Sequence, residues 1–237
     1  MKLKKLDLPK KYEYIEGQSK KEFKKYNGIA KLSYSQYTSF KDFENNGYRG
    51  TYIAEYIMGL PKESNIFADY GTMCGTYLET GERGELSDSD IEVLNKFERE
   101  EGAVYEREIV VPLFDYGVSV VVQGFEDYFV EKNCITVIDF KTGGIKKVDF
   151  YASEDYGQTQ LYSHYETSIG GNVCQTGVML FPRKGNGSEK HPLRLEGDPI
   201  YIDTPYCPKK VDTLLKDMAE TAIRISEYNK VYKRYFG

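Results

Sequence analysis

The stretch from Tyr105 to Lys141 constrains this chain more than any other. It is crowded with Val, Ile, Phe and Tyr and is interrupted at Pro112, at residues 115–117 and at residues 131–133. β-Branched and aromatic residues fit a pleated, half-buried surface, and Pro, Gly, Asp and Asn clusters punctuate it, so the stretch predicts three or four strands of an antiparallel meander. On either side the period becomes helical. Residues 34–59 read as helix with a turn near Gly47 and Gly50, a second helix covers about 65–80, and a third over 88–99 starts from the Ser- and Asp-rich cap at 87–90. Beyond the meander come a helix over 152–169, an apolar strand at 173–181, a glycine loop at 184–188 and a short strand near 199–203. A last helix from about 208 to 230 places Val211, Leu214, Leu215, Met218, Ala222 and Ile225 on one stripe. The expected class is therefore α/β or α+β: a central mixed sheet with an antiparallel meander, flanked by helices, in a single domain over 1–237.

Composition narrows the function classes. The 237 residues carry a formal charge of −5, but residues 1–31 hold ten lysines against Asp7, Glu13, Glu16 and Glu22, leaving a basic arm of +6 and a body of −11. A basic arm neutralises phosphates, whereas an acidic body disfavours a general nucleic-acid coat unless the acids gather where a divalent cation sits. No run approaches the roughly 18 apolar residues of a membrane span, and the lysine-rich start has no apolar stretch behind it. Neither a membrane partner nor a signal peptide is expected, and the cytoplasm is the expected location. Cys74, Cys134, Cys174 and Cys207 are tens of residues apart without a C-x-x-C, and only His164 and His191 accompany them. No zinc site or iron–sulfur cluster is expected, and these six residues read as structural in a reducing compartment.

The chemistry concentrates in the meander. Side chains alternate along a strand, so Ile135, Val137, Asp139 and Lys141 share one face. A turn centred on Asn133 sets Asp127 opposite Asp139, with Cβ atoms about 4.5–5.5 Å apart, a distance at which two carboxylates repel. A Mg²⁺ ion between them offsets that repulsion, because it takes carboxylate oxygens, keeps several waters and binds substrate phosphates. Lys141, on the same face, orients or deprotonates a water or stabilises transition-state charge. The set points to metal-assisted attack on a phosphodiester.

A wider pattern resembles the PD-(D/E)XK nuclease superfamily, in its RecB-type branch of phage and prokaryotic exonucleases. Leu32-Ser33-Tyr34-Ser35-Gln36-Tyr37 resembles that branch's "ISYSQL" opening, and Gly47-Tyr48-Arg49 through Tyr52 its tyrosine-rich stretch. Gly71-Thr72-Met73-Cys74-Gly75-Thr76-Tyr77-Leu78-Glu79 resembles "GTxxHxxLE", Gly124 and Asp127 match "GxxD", and Ile138-Asp139-Phe140-Lys141-Thr142-Gly143 matches "(I/V)DYKTG". Gln158-Thr159-Gln160-Leu161-Tyr162 resembles "QxxxY". The matches run in the family's order from residue 32 to 162.

This resemblance implies a restriction-endonuclease-like core, Asp127 and Asp139 as ligands of Mg²⁺ or Mn²⁺, Lys141 as the catalytic lysine, and Gln158 with Tyr162 positioning DNA or the site. Gln160 is the alternative start of the last motif, with His164 as its partner. The family's histidine is replaced by Gly75, and Glu79, one helical turn on, is expected to supply the third metal-binding carboxylate. The implied function is a metal-dependent DNA exonuclease acting on linear ends in recombination, repair or phage DNA processing, inside a bacterial or phage-infected cell. A homo-oligomer or a recombination partner protein is a possible companion. The competing reading is an inactive module of the same fold that binds nucleic acid or a protein, and a carboxylate-pair glycosidase is a remote third. Lesser candidates are the Gly185-Asn186-Gly187 loop after Arg183 and Lys184 as a phosphate contact, the acids Glu98, Glu100, Glu101, Glu106 and Glu108 as a solvated run, and Tyr34 and Tyr37 as base-stacking residues.

Overall fold

A computed structural model describes residues 30–48, 51–60, 65–153 and 156–236, apart from the side chains at 233 and 236. Of the basic arm expected over 1–31, only Ala30 and Lys31 fall within the described residues, and Arg49 falls outside them. The fold is mixed α+β and gathers into two compact units. One comprises Met1–Glu63, Ile109–Gly124 and Val211–Gly237; the other comprises Ser64–Glu108 and Phe125–Lys210.

In the first unit, β1 (Ala30–Ser33), β2 (Arg107–Pro112) and β3 (Val120–Glu126) form a sheet in the order β1-β3-β2, with β1 parallel to β3 from Ala30 opposite Val120 to Ser33 opposite Gln123. Helix α1 (Tyr34–Asn45) begins at Ser33, whose hydroxyl accepts the Gln36 N–H at 3.0 Å, satisfying one orphan donor of the first turn. A π-helical turn follows at Ile53–Ile57. In the long terminal helix α6 (Pro208–Phe236), Val211, Leu215, Met218, Ala222 and Ile225 are buried as the stripe predicts, with Leu214 at its edge. Tyr37 donates to Asp217 at 2.5 Å, and Lys41 pairs with the same carboxylate at 3.0 Å.

The second unit is built on β5 (Ile135–Gly143) and β6 (Val173–Lys184), parallel neighbours from Ile135 opposite Val173 to Gly143 opposite Pro182. Strand β4 (Tyr128–Glu131) runs antiparallel on the outer side of β5, while β7 (Arg194–Leu195) and β8 (Ile200–Asp203) run antiparallel to β6. A parallel pair needs a long crossover, here carried by α4 (Val148–Ala152) and α5 (Gln158–Ser168). Facing positions have the same orientation across the two strands, so Val178 and Leu180 of β6 continue the face of Asp139 and Lys141. On that face they pack with Tyr151, Tyr156 and Ile202. The opposite face presents Phe140, Met179 and Phe181, and receives Tyr70, Cys74 and Leu78 of α2 (Ile66–Thr80) together with Val93 and Leu94 of α3 (Asp88–Leu94). Val137, Val178, Leu180 and Phe181 are wholly buried, each stabilising the fold by about 1.5–3 kcal/mol.

The structure corrects the single meander. Strands β2 and β3 belong to the first sheet and β4 and β5 to the second, because the chain bends at Asp127 between Glu126 and Tyr128. Strands β1 and β7 were not anticipated. The third helix stops at Leu94, with Asn95 as its C-terminal cap, rather than reaching 99. Cys134 and Cys174 are joined in a disulfide that ties the start of β5 to the start of β6, a pairing that their separation of 40 residues did not signal.

Asp90 closes the capping box of α3 with Ser87 and, from a buried position, accepts the Tyr70 hydroxyl at 2.7 Å and the Leu195 N–H at 2.7 Å. Burial alone would raise its carboxyl, but these hydrogen bonds hold it below the ordinary carboxylate range. The stabilisation is thus complete above the unfolded-state pKa and is lost as pH falls through the lower folded value. Asp90→Ala should cost about 2–4 kcal/mol in urea unfolding at neutral pH, since it strands two buried donors and a cap. Asp90→Asn should flatten the loss of stability below about pH 4.

Candidate functional site

The expected pairing of Asp127 with Asp139 rests on strand register, and β4 and β5 take that register. Tyr128 faces Ile138 and Phe129 faces Val137, so the next position outward sets Asp127 beside Asp139. The bend places Asp127 at the mouth of the pair, where its Oδ2 accepts the Phe140 N–H at 2.8 Å. Asp139 is wholly buried. Its Oδ2 receives the Lys141 ammonium at 2.5 Å and the Tyr156 hydroxyl at 2.7 Å, whereas its Oδ1 has no hydrogen-bond partner. An orphaned carboxylate oxygen in the interior is costly, so it marks a place where a ligand or water belongs.

Helix α5 brings the second group. Gln158 and Tyr162 lie one turn apart on one face, and the Gln158 amide donates to the Tyr162 hydroxyl at 2.5 Å. The Gln158 carbonyl oxygen is 3.2 Å from the Tyr156 hydroxyl, which links the pair to Asp139. Gln160 turns elsewhere: its amide donates to the carbonyls of Thr204 and Pro205, and its carbonyl accepts the Cys207 N–H at 2.9 Å. Gln160 is therefore a buried strut between α5 and the 204–207 segment, and His164 lies against Tyr206 at 3.1 Å.

The electrostatics follow from crowding acids in the interior. Burial first, and the Asp139 charge second, push Asp127 up to about 7. Burial would lower Lys141, but Asp139 and Asp127 outweigh it and hold the ammonium above its ordinary value. Burial and then the neighbouring acids raise the phenols of Tyr156 and Tyr162 well above 10, so both remain protonated at neutral pH.

Five of the six expected residues, Asp127, Asp139, Lys141, Gln158 and Tyr162, are gathered on one side of the second sheet. Glu79 stands on another element. It is exposed on α2, which packs against the opposite face; a Cβ on Gly71 would lie 3.2 Å from the Thr142 hydroxyl, two residues from Phe140 on that face. Among the described residues no group of three His, Cys, Asp or Glu side chains is placed to hold a metal. A Cβ at Gly75 would meet nothing within 4 Å. Four of the lesser candidates have partners within the fold. Arg183 lies over the Phe67 ring at 4.5 Å, Lys184 pairs with Glu196, Glu100 pairs with Lys132 at 2.6 Å, and Tyr37 is committed to Asp217.

Sequence reasoning missed Tyr156, which sits just before α5 and carries no motif. It also missed a buried carboxyl beside the site. Glu126 is wholly buried with both oxygens unpartnered, and burial followed by the Glu166 charge pushes it up to about 8. Glu166, one turn beyond Tyr162, is buried and pairs with Arg107 at 3.2 Å, while that guanidinium lies 3.7 Å over the Phe129 ring. Strand alternation assigns Glu126 to the face opposite Asp127. Only the bend between β3 and β4 brings both toward α5.

A carboxyl raised on folding stabilises the native state fully below its unfolded pKa, and that contribution is lost as pH rises through the folded value. Thermal unfolding of the metal-free protein should therefore show a falling melting temperature from about pH 4 to pH 7, and Asp127→Asn should flatten that slope. An unchanged slope in the variant would show that Asp127 does not carry this load. Compared with protein-family models and with curated proteins, the chain matches none.

Proposed function

We propose that this chain is a Mg²⁺- or Mn²⁺-dependent DNA nuclease with a restriction-endonuclease-like core of the PD-(D/E)XK type. One observation carries the reading: Asp127, at the bend just before β4, accepts the N–H of Phe140, the residue next to Asp139 on β5, Lys141 lies against Asp139, and the buried Asp139 Oδ1 lacks any hydrogen-bond partner. Mg²⁺ is commonly held by one or two carboxylates, with waters and substrate phosphates completing its shell. Two aspartates without a third acid therefore fit such an ion, and Asp139 Oδ1 is the atom it would satisfy. When bound, the ion supplies charge neutralisation at the phosphate and makes the attacking water more acidic.

The remaining chemistry belongs to the side chains. Hydrolysis adds the water oxygen to phosphorus and expels a sugar oxygen, so negative charge grows on the non-bridging oxygens. Lys141, kept cationic by its two acidic neighbours, offers its ammonium to that charge. Tyr156 fixes the Asp139 carboxylate through Oδ2 and leaves Oδ1 for the ion. Gln158 and Tyr162 hold each other on the helix above and orient the phosphate backbone. The exonuclease character, the action on linear ends in recombination, repair or phage DNA processing, an oligomeric or recombination partner and a cytoplasmic setting rest on the motif order running from Leu32 to Tyr162.

A second reading, an inert nuclease-fold module, is favoured by one observation: Lys141 already neutralises Asp139. Two measurements decide between them. With end-labelled linear DNA and Mg²⁺, Asp139→Asn should lose cleavage entirely and Lys141→Met should lose at least about 100-fold, both remaining folded. Full cleavage by Asp139→Asn would remove the site assignment. Millimolar Mn²⁺ should raise the melting temperature of the parent protein and not that of Asp139→Asn, whereas an inert module would not respond.

A further inference from the structure

One cation on the site's own face of β5 has no part in the chemistry described so far. Side chains at 139, 141 and 143 alternate onto one face of the strand, so Gly143 follows Lys141 at the carboxyl end of the parallel pair, opposite Pro182 of β6. Ligands of such sheets bind beyond the carboxyl ends of parallel strands. Gly143 is buried, and the stem of Lys147 covers it: a Cβ there would lie 3.3 Å from Lys147 Cδ, 3.8 Å from its Cγ and 3.5 Å from Leu180 Cδ1. Leu180 belongs to the face of Asp139 and Lys141, so the Lys147 stem lies on that face as well.

The chain returns over the strand by local means. After Gly144 it makes one 3₁₀ turn, Ile145–Lys147, and passes into α4. Val148 and the buried Tyr151 pack this segment against Val178, Leu180 and Ile202, while residues 144–147 are exposed. A lysine stem laid on apolar surface with its charged head in water is the ordinary amphipathic use of that side chain. Two bonds separate Cδ from the ammonium, which therefore stays within about 6 Å of the Gly143 Cβ position. Among the described residues no ion pair or hydrogen bond engages that ammonium. The acid nearest in sequence, Asp149, is two residues on and so does not face Lys147 around the helical turn. Lys141, by contrast, is tied to Asp139.

We propose that Lys147 holds the phosphate next to the scissile one and so fixes the register of the DNA strand over Asp139 and Lys141. Gly143 lies about 6.6 Å beyond Lys141 along the strand, which is roughly the reach of one nucleotide of extended backbone. The proposal rests on the nuclease reading and adds to it a subsite one nucleotide from the bond that is cut. A flanking phosphate keeps the same charge throughout the reaction, so its contact binds substrate and transition state alike, and its loss falls on KM rather than kcat.

The test uses the full-length protein with Mg²⁺ and end-labelled linear DNA. Lys147→Gln should raise KM roughly two- to five-fold with kcat unchanged, and Lys147→Arg should restore the parent value. A neutral methylphosphonate at the linkage next to the one first cut should raise KM by a similar factor for the parent and not raise it further for Lys147→Gln. In EDTA, where no cleavage occurs, Lys147→Gln should lower the slope of log affinity for an oligothymidylate against log salt by about 0.7, the share of one phosphate contact. The proposal fails if Lys147→Gln keeps the parent's KM and salt slope, if its loss falls on kcat, or if the substitution and the methylphosphonate act independently. A lowered salt slope in Lys147→Gln, with no Mg²⁺-dependent cleavage by the parent, would overturn the nuclease reading and leave Lys147 as a phosphate contact. Cleavage by the parent with an unaltered KM in Lys147→Gln would overturn the contact alone, and a parent that neither cuts nor binds DNA would overturn both.

Discussion

The second unit is organised around a repulsion. Two aspartates, one at the bend before β4 and one buried on β5, act on each other's charge in the interior, and a fold that does this must supply compensation on the spot. The protein supplies it in layers: an ammonium two residues along the same strand, a backbone N–H from Phe140, and a phenol reaching down from the crossover. Two of these groups come from β5 and the third from the segment leading into α5, so the strand and the crossover are tied to one small volume. The buried packing of Val178, Leu180, Tyr151 and Ile202 around it follows from the same geometry, because a dry wall is what makes the charges act strongly on one another. The orphaned Asp139 oxygen is the part of the balance that the protein alone leaves open.

Much of this was legible in the sequence, and for identifiable reasons. The register of the β4–β5 pair follows from one turn at Asn133 and a side-chain period of two, which together leave little freedom. The cap at Ser87 and the stripe from Val211 to Ile225 are local signals, so the start of α3 and the inward face of α6 could be read directly. Gln158 and Tyr162 could be paired because four residues make one turn, and the competing Gln160 could be set aside only once its neighbours at Thr204 and Cys207 were visible.

What escaped was non-local. The division of the expected meander between two sheets depends on a bend at Asp127 and on a partner strand, Ala30–Ser33, too short to announce itself. Glu79 was assigned from helical spacing relative to Gly75, which fixes the side of a helix but not the face of a sheet on which that helix packs. Glu126 was hidden by the alternation rule itself, since the bend cancels the rule at that residue. Tyr156 lies outside any periodic element. These failures share a cause: spacing along the chain gives direction within one element, while a site is assembled by directions between elements.

The covalent link between Cys134 and Cys174 has a topological result. The ring it closes runs through β5, α4, α5 and the first residues of β6, and therefore contains Asp139, Lys141, Tyr156, Gln158 and Tyr162. Even in the unfolded oxidised chain those five remain members of one loop, a restriction that is worth roughly 4 kcal/mol for a ring of this length in the chain-entropy picture. Asp127 alone lies outside it. Assembly of the acidic pair then amounts to docking one short hairpin arm onto a circle that already carries everything else.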